Sequence, residues 1–340
     1  MKRCIQLAKN GLGTTYPNPL VGSVIVCQDT ILGEGWHYQA GQPHAEVHAI
    51  TSVQNTAKLT EATMYVSLEP CSHFGKTPPC ADLIISTGIK KVVIGSTDPN
   101  PKVAGKGIKK LMEAGCDVVV GILEPECNEL NKRFFTFQQK KRPFITLKWA
   151  QTPHNFIAPK TKNEQKPVWI TNAFSRQLAH KLRAEEQAIL VGTHTVREDN
   201  SGLTTRDWCG TNPLRVVLDA GLTLSASLQI FNGASETLVF TSKRKEDGDN
   251  STFETVNFTE NLAQQLCDVL YKKEIQSLIV EGGAKTLQTF IDANLWDEAL
   301  VFEGVSIFEN GVRAPNLSGT LIKQTKIAND VLFHYKNPSI

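Results

Sequence analysis

Short apolar runs alternate with stretches of helical period along this chain, and the alternation occurs twice. In the first series, apolar runs cover residues 20–27, 31–36, 63–67, 91–95 and 118–120. Helical patterns cover 1–11, a stretch from about 45, 79–88, 105–114 and a long last one over 125–139. The first two runs read as a hairpin turning at Gln28-Asp29-Thr30. Lys140-Lys141-Arg142-Pro143 closes the series: proline disfavours helix in the residue before it, and three adjacent cations read as a solvated linker rather than a phosphate patch. The second series has apolar runs at 144–149, 188–191, 215–218, 237–240 and 277–280, with helical stretches at 173–184, 260–272 and 284–293 and a polar loop at 244–252. A hairpin followed by repeated helix–strand units predicts an α/β class with helices on both sheet faces, and two such series predict two domains, 1–142 and 143–340.

Composition narrows the function. A length of 340 residues with 41% hydrophobic residues supports two real cores. Thirty-six cations against 34 anions leave a net charge of +2, which argues against a chain that holds long nucleic acid by bulk charge. No run of about 18 apolar residues exists, so no membrane span is expected. The opening Met-Lys-Arg-Cys-Ile-Gln reads as an amphipathic helix and not as a signal peptide. Eight cysteines in this length are too sparse for a disulfide scaffold, so a reduced, cytoplasmic chain is the expectation.

Two of those cysteines carry the chemistry. Pro43-His44-Ala45-Glu46 is followed by Glu69-Pro70-Cys71 and Pro78-Pro79-Cys80. One imidazole and two thiolates with a fourth position open is the donor set of catalytic zinc, whereas structural zinc is usually closed by four ligands. Zinc lowers the pKa of a bound water from about 15.7 towards 7. Glu46, two residues after His44 at the start of the same helix, would take the water's proton and return it to a leaving nitrogen. Helix N-termini near Cys71 and Cys80 would favour their thiolates. His44 and His48 form an i, i+4 pair, but a zinc protease has glutamate directly after the first histidine, where Ala45 stands; His48 reads as packed beside the site. Cys4, Cys27, Cys116, Cys127, Cys209 and Cys267 read as ordinary buried residues.

The pattern is the zinc deaminase signature, H-x-E then P-C-x-x-C, with eight residues in place of two between the cysteines. With that loop the chain resembles the bifunctional riboflavin biosynthesis family, a pyrimidine deaminase fused to a pyrimidine reductase. The motifs are Thr15-Tyr16-Pro17-Asn18-Pro19-Leu20-Val21-Gly22, His44-Ala45-Glu46-Val47, Leu68-Glu69-Pro70-Cys71-Ser72-His73, Gly75-Lys76-Thr77-Pro78-Pro79-Cys80, Asp98-Pro99-Asn100-Pro101 and Glu281-Gly282-Gly283-Ala284. The resemblance implies a cytidine-deaminase-like three-layer domain holding one Zn2+, then a dihydrofolate-reductase-like domain using NADPH. It implies a ribosylaminopyrimidine 5′-phosphate as substrate, with Asn18 and His73 on base or ribose and Lys76 on the phosphate. His37 is a further candidate for substrate contact or for packing.

The second half lacks a Gly-x-Gly-x-x-Gly turn, so a Rossmann site is not supported. Gly282-Gly283 between a strand and a helix suits a phosphate, or a tight structural turn. By resemblance, Lys148, Arg183, Leu203, Arg206 and Glu281 bind the reductase substrate, with Arg183 and Arg206 on its phosphate. Trp169, Thr195, Asp199, Gly282 and Gly283 bind the cofactor. Two segments depart from the family pattern: His154-Asn155 stands where Asp-Gly is usual, and Ser201-Gly202-Leu203 lacks a proline before the leucine. Asn155 can still form the turn, because asparagine tolerates positive φ. The alternative is an active deaminase with a catalytically impaired reductase. The family further implies a homo-oligomer, a dimer through the reductase domain, with no nucleic-acid partner.

Overall fold

The computed structural model describes residues 1–72, 74, 78–100, 104–162 and 164–339. The chain clusters into two compact units, Met1–Lys141 and Arg142–Ile340.

The first unit runs α1 (Lys2–Ala8), β1 (Gly22–Cys27), β2 (Thr30–Trp36), α2 (Ala45–Thr51), β3 (Thr63–Leu68), α3 (Cys80–Ser86), β4 (Lys91–Ser96), α4 (Lys106–Glu113), β5 (Asp117–Val120), α5 (Glu124–Leu130) and α6 (Lys132–Lys140). Its sheet has the order β2-β1-β3-β4-β5, antiparallel around β1 and parallel from β3 to β5. The hairpin turns on Gln28 and Asp29, both at positive φ (48° and 62°), the geometry that matches strand twist. Ile25, Met64, Val66, Val92 and Ile94 from the strands pack with Ala81, Ile84 and Leu111 from α3 and α4.

The long helix expected over 125–139 is two helices broken at Asn131. The Asn131 amide pairs with the backbone of Leu20, accepting from its N–H at 2.8 Å and donating to its carbonyl at 2.9 Å. Satisfying those buried backbone groups outweighs one continuous helix. Cys209 is exposed rather than buried.

The second unit runs β6 (Phe144–Gln151), β7 (Phe156–Pro159), α7 (Ala173–Glu185), β8 (Ala188–Gly192), α8 (Thr193–Asp199), β9 (Leu214–Leu218), β10 (Thr237–Thr241), β11 (Ser251–Thr255), α9 (Leu262–Lys272), β12 (Ser277–Val280), α10 (Ala284–Asp292), β13 (Glu298–Glu303), β14 (Gly311–Arg313), β15 (Thr320–Ile327) and β16 (Asp330–Lys336). Nine strands form one sheet, β11-β10-β9-β8-β12-β6-β13-β16-β15. It is parallel from β11 to β13, and β16 and β15 add an antiparallel edge. The sequence reading has no strand at β7 or β11 and none after residue 280, so β7, β11 and β13 to β16 are additions, and the polar loop expected at 244–252 runs into β11.

Arg142 overturns the solvated-linker expectation. Its side chain is 7% exposed and forks onto Asp297, donating from Nη1 at 2.6 Å and Nη2 at 2.9 Å. Asp297 also accepts the Ile145 backbone N–H at 2.8 Å. A guanidinium whose fork meets a carboxylate is satisfied out of water, so one member of the charge run anchors the first strand of the unit.

Candidate functional site

In the first unit His44 is the N-cap of α2, Cys80 opens α3, and Cys71 follows β3. Glu69 fixes the segment that delivers Cys71. Its buried carboxylate accepts backbone N–H groups from Asp98 (3.2 Å), Gly105 (2.9 Å), Gly107 (2.9 Å) and Ile108 (3.3 Å). The sequence reading gave Glu69 no role; its only signal was a carboxylate standing directly before Pro70-Cys71.

The three candidate ligand atoms converge. The Nδ1 of His44 lies 3.3 Å from Cys80 Sγ and 3.6 Å from Cys71 Sγ, and all three atoms fall within 4.8 Å of one another. Tetrahedral zinc at its usual bond lengths separates N from S by about 3.6 Å and S from S by about 3.8 Å, so this cluster fits the ion. The Cys80 backbone N–H donates to Cys71 Sγ at 3.3 Å. The Cys80 thiol also donates to Cys71, which holds the Cys71 thiol down at about 4 against the effect of burial, and His44 adds to it. The same hydrogen bond, with burial, pushes Cys80 up. The pair therefore carries one negative charge by itself, and a dication in the cluster favours two.

Glu46 is buried at 3% exposure in the first turn of α2. Burial pushes its carboxyl up to about 7, with the His44 imidazole pulling the other way. A dication beside it pulls in the same direction as that imidazole. His37 is buried with both ring nitrogens engaged: Nδ1 is 3.1 Å from the Pro43 carbonyl and Nε2 is 3.0 Å from Asn18 Nδ2. His48 stacks on Tyr38 with centroids 4.0 Å apart. His73 and Lys76 lie outside the described residues.

In the second unit a cleft of about 1620 Å3 opens at the carboxyl ends of the parallel strands, where Lys148, Gly192, Leu218, Glu281 and Phe302 line it. That is where open α/β sheets take ligands. Its charged centre is a half-buried triad. Glu281 Oε1 accepts from Lys148 Nζ at 2.6 Å, and Oε2 accepts from Arg183 Nη2 at 2.8 Å and Nε at 3.3 Å. Burial raises the Glu281 carboxyl, but Arg183 and Lys148 outweigh it and hold the group at about 2. Arg183 Nη1 donates to the Thr204 carbonyl at 3.3 Å. The guanidinium that the resemblance puts on a phosphate lines the cleft and pairs there with Glu281 and the Thr204 backbone.

Trp169, Thr195, Asp199, Arg206 and Gly283 line the same cleft. Asp199 is paired with Lys162, and Trp169 carries the Arg176 guanidinium 4.6 Å above its ring. Gly283, at φ 61°, caps α10. At Gly282 a Cβ would meet Val191 at 2.9 Å, so only glycine fits the close approach there. Leu203 is in the core with Val191, Val196 and Val217 and is not on the cleft wall. The cleft volume and the glycine turn beside α10 fit a dinucleotide. Asn155 adopts φ 60° and accepts from Gln151 Nε2 at 2.9 Å, so the departing turn is intact. Sequence reading missed Arg176 and His180, which share a helix face with Arg183 at i, i+4 and i+7 and also line the cleft.

The first unit matches the cytidine and deoxycytidylate deaminase zinc-binding region over residues 1–96, and the second matches the RibD C-terminal domain over 143–308. Fold and donor set thus define a zinc-dependent deaminase carried on one chain with a dihydrofolate-reductase-like reductase. Curated relatives named riboflavin biosynthesis protein RibD include one from Aquifex aeolicus, 42% identical, with 99% of this chain and 97% of the relative covered. One from Escherichia coli is 35% identical, covering 99% of this chain and 94% of the relative. A solved Thermotoga maritima structure titled diaminohydroxyphosphoribosylaminopyrimidine deaminase/5-amino-6-(5-phosphoribosylamino)uracil reductase superposes with TM-score 0.90 at 37% identity, covering 99% of this chain and 97% of that one. The Acinetobacter baumannii RibD structure gives 0.88 at 32%, covering 98% and 97%. This chain belongs to the RibD family of riboflavin biosynthesis proteins.

Proposed function

We propose that residues 1–142 deaminate 2,5-diamino-6-ribosylamino-4(3H)-pyrimidinone 5′-phosphate and that residues 143–340 reduce the ribosyl side chain of the product to ribityl. The chain is a bifunctional hydrolase and NADPH-dependent oxidoreductase of riboflavin biosynthesis, with Zn2+ and NADPH as cofactors and small phosphorylated pyrimidines as substrates. The observation that carries the first step is the convergence of His44, Cys71 and Cys80 beside buried Glu46.

Zinc, when held by His44, Cys71 and Cys80, makes hydroxide available at neutral pH. Glu46 takes the proton on a carboxylate oxygen and returns it to the amine nitrogen that leaves as ammonia. Burial keeps that carboxyl dry, so the proton is not lost to solvent. Asn18, whose amide is oriented by His37, holds the base or ribose, and Lys76 and His73 complete the substrate contacts.

NADPH, when bound, would supply a hydride for the ribose C1, whose bond to the ring oxygen breaks as that oxygen takes a proton from water. Trp169, Thr195, Asp199 and Gly283 position the cofactor, and Lys148 and Glu281 orient the pyrimidine. Arg206 takes the 5′-phosphate while Arg183 keeps Glu281 ionised. The intact Asn155 turn and the assembled triad support a working reductase. We place the chain in the cytoplasm as a dimer through the reductase domain, with no nucleic-acid partner. Among the described residues no helix is long and apolar enough to cross a membrane.

One mass-spectrometric assay tests both steps. With the diaminopyrimidine phosphate and no NADPH, substrate should convert to the deaminated product alone. Adding NADPH should then add two hydrogens. A deaminated product that accumulates unchanged with NADPH present would establish the impaired reductase instead.

A further inference from the structure

The cleft wall made by α7 carries a histidine that the reaction has not used. His180 is 3% exposed and lines the cleft between Arg176 and Arg183 on the same helix face. Its Nδ1 lies 3.0 Å from the Thr204 carbonyl, so Nδ1 carries a proton and donates. That carbonyl also accepts from Arg183, which ties α7 to the segment bearing Arg206. The remaining ring atom, Nε2, has the exposed carboxylate of Asp207 at 3.3 Å, the place a ligand anion would take over. The charged groups facing the ring are Arg183 from its own helix and Arg206 and Asp207 from the loop after α8, with Glu281 behind Arg183.

We propose that His180 binds the 5′-phosphate of the reductase substrate through Nε2, taking up one proton from solvent as the phosphate arrives. The proposal rests on the reading that Arg206 faces that phosphate. Without a ligand the ring is neutral: burial first, then Arg183 and Arg206, press it down to about 4 against Asp207 and the Thr204 carbonyl. A phosphate dianion between Arg206 and His180 reverses the local sign. Protonated Nε2 then becomes a charge-assisted donor to a phosphate oxygen. No covalent bond to the substrate forms.

Linkage sets the direction of the test. A site that takes up a proton on binding binds more weakly as pH rises through the pKa of the complex. The phosphate's second ionisation, near pH 6, acts the other way by no more than about twofold between pH 6 and 8. The reductase KM for 5-amino-6-(5-phosphoribosylamino)uracil should therefore rise about tenfold from pH 6 to 8 with kcat nearly unchanged. H180Q, whose amide can still donate to Thr204, should raise KM about tenfold at pH 6 and abolish the slope. The same substitution should leave KM for the dephosphorylated nucleoside unchanged.

A flat wild-type KM profile overturns the proposal, as does a slope that persists in H180Q or an equal loss on both substrates. The wild-type profile decides even if H180Q fails to fold. R206Q separates the premise from the proposal. If R206Q weakens phosphorylated and dephosphorylated substrates equally, the phosphate does not lie on this wall and the underlying reading fails. If R206Q discriminates and H180Q does not, only the role of His180 fails.

Discussion

Replacing Glu281 by glutamine removes the anion that two half-buried cations share. Lys148 and Arg183 reach it at 2.6 Å and 2.8 Å, and their side chains are 13% and 11% exposed. The carboxyl is held at about 2 where an ordinary one lies at 4.5. That difference is worth about 3 kcal/mol of folding stability at neutral pH, to within a factor of two. For a unit of this size, about 3 kcal/mol lowers Tm by roughly 6–12 °C. Four of the five tryptophans (149, 169, 208 and 296) are in the second unit, so intrinsic fluorescence during heating mostly reports it. The pH dependence has a definite sign. The folded pKa is depressed, so the stabilisation is fully present above about 4.5 and is lost as pH falls towards 2. The wild type should therefore exceed E281Q by about 3 kcal/mol at pH 7, and the gap should narrow by about 1 kcal/mol at pH 3.5. Equal melting at pH 7, or a gap that does not narrow in acid, refutes the account of Glu281 as an anion clamped between cations.

E46Q should lower deamination by about 10²–10⁴-fold, while metal analysis still finds one zinc per chain and NADPH oxidation with deaminated substrate is unchanged. Loss of zinc with the activity would make Glu46 structural. D297N leaves the Arg142 guanidinium buried against a neutral amide and should cost about 3–5 kcal/mol in urea unfolding. A change under about 1 kcal/mol would mean that the arginine finds water. Dialysis against a chelator should remove deamination and spare reduction, and added zinc should restore it. A deaminase that survives removal of all metal contradicts the role of His44, Cys71 and Cys80.

Residue type decided how much was legible in the sequence. His44, Cys71 and Cys80 announce a soft cation by their donor chemistry, and Glu46 follows because it stands two residues after His44, in the first turn of the same helix. The strands that form both cores were visible because their apolar runs are short and bounded. What stayed hidden depends on partners far along the chain. The break at Asn131 is set by Leu20, 111 residues away, and the burial of Arg142 by Asp297, 155 residues away. Arg183 looked like a free cation because its carboxylate lies 98 residues on. The strand β15 escaped notice because it is an edge strand with most of its residues exposed, so apolar alternation is weak there.

The sign of the charge collected at each site points to what it must hold. In the first unit, an imidazole lone pair, two sulfurs and a carboxyl surround one small volume. Among the described residues there, the shift that ionises Cys71 comes first from a neighbouring thiol and not from a lysine or arginine. Such a set repels itself once ionised and is stabilised by a cation. The second site has the opposite imbalance. Seven lysines and arginines line the cleft, Lys148, Arg176, Arg183 and Arg206 among them, against five carboxylates, of which Glu281 pairs with Lys148 and Arg183. Burial first and then Arg183 press on Arg206, with Asp207 and Glu281 pulling the other way. On the proposed reading, the phosphate supplies an anion there, and it does so at the far end of the substrate from the C1 that accepts hydride. Binding energy gained there can hold C1 against the nicotinamide without any group having to act on the reacting carbon.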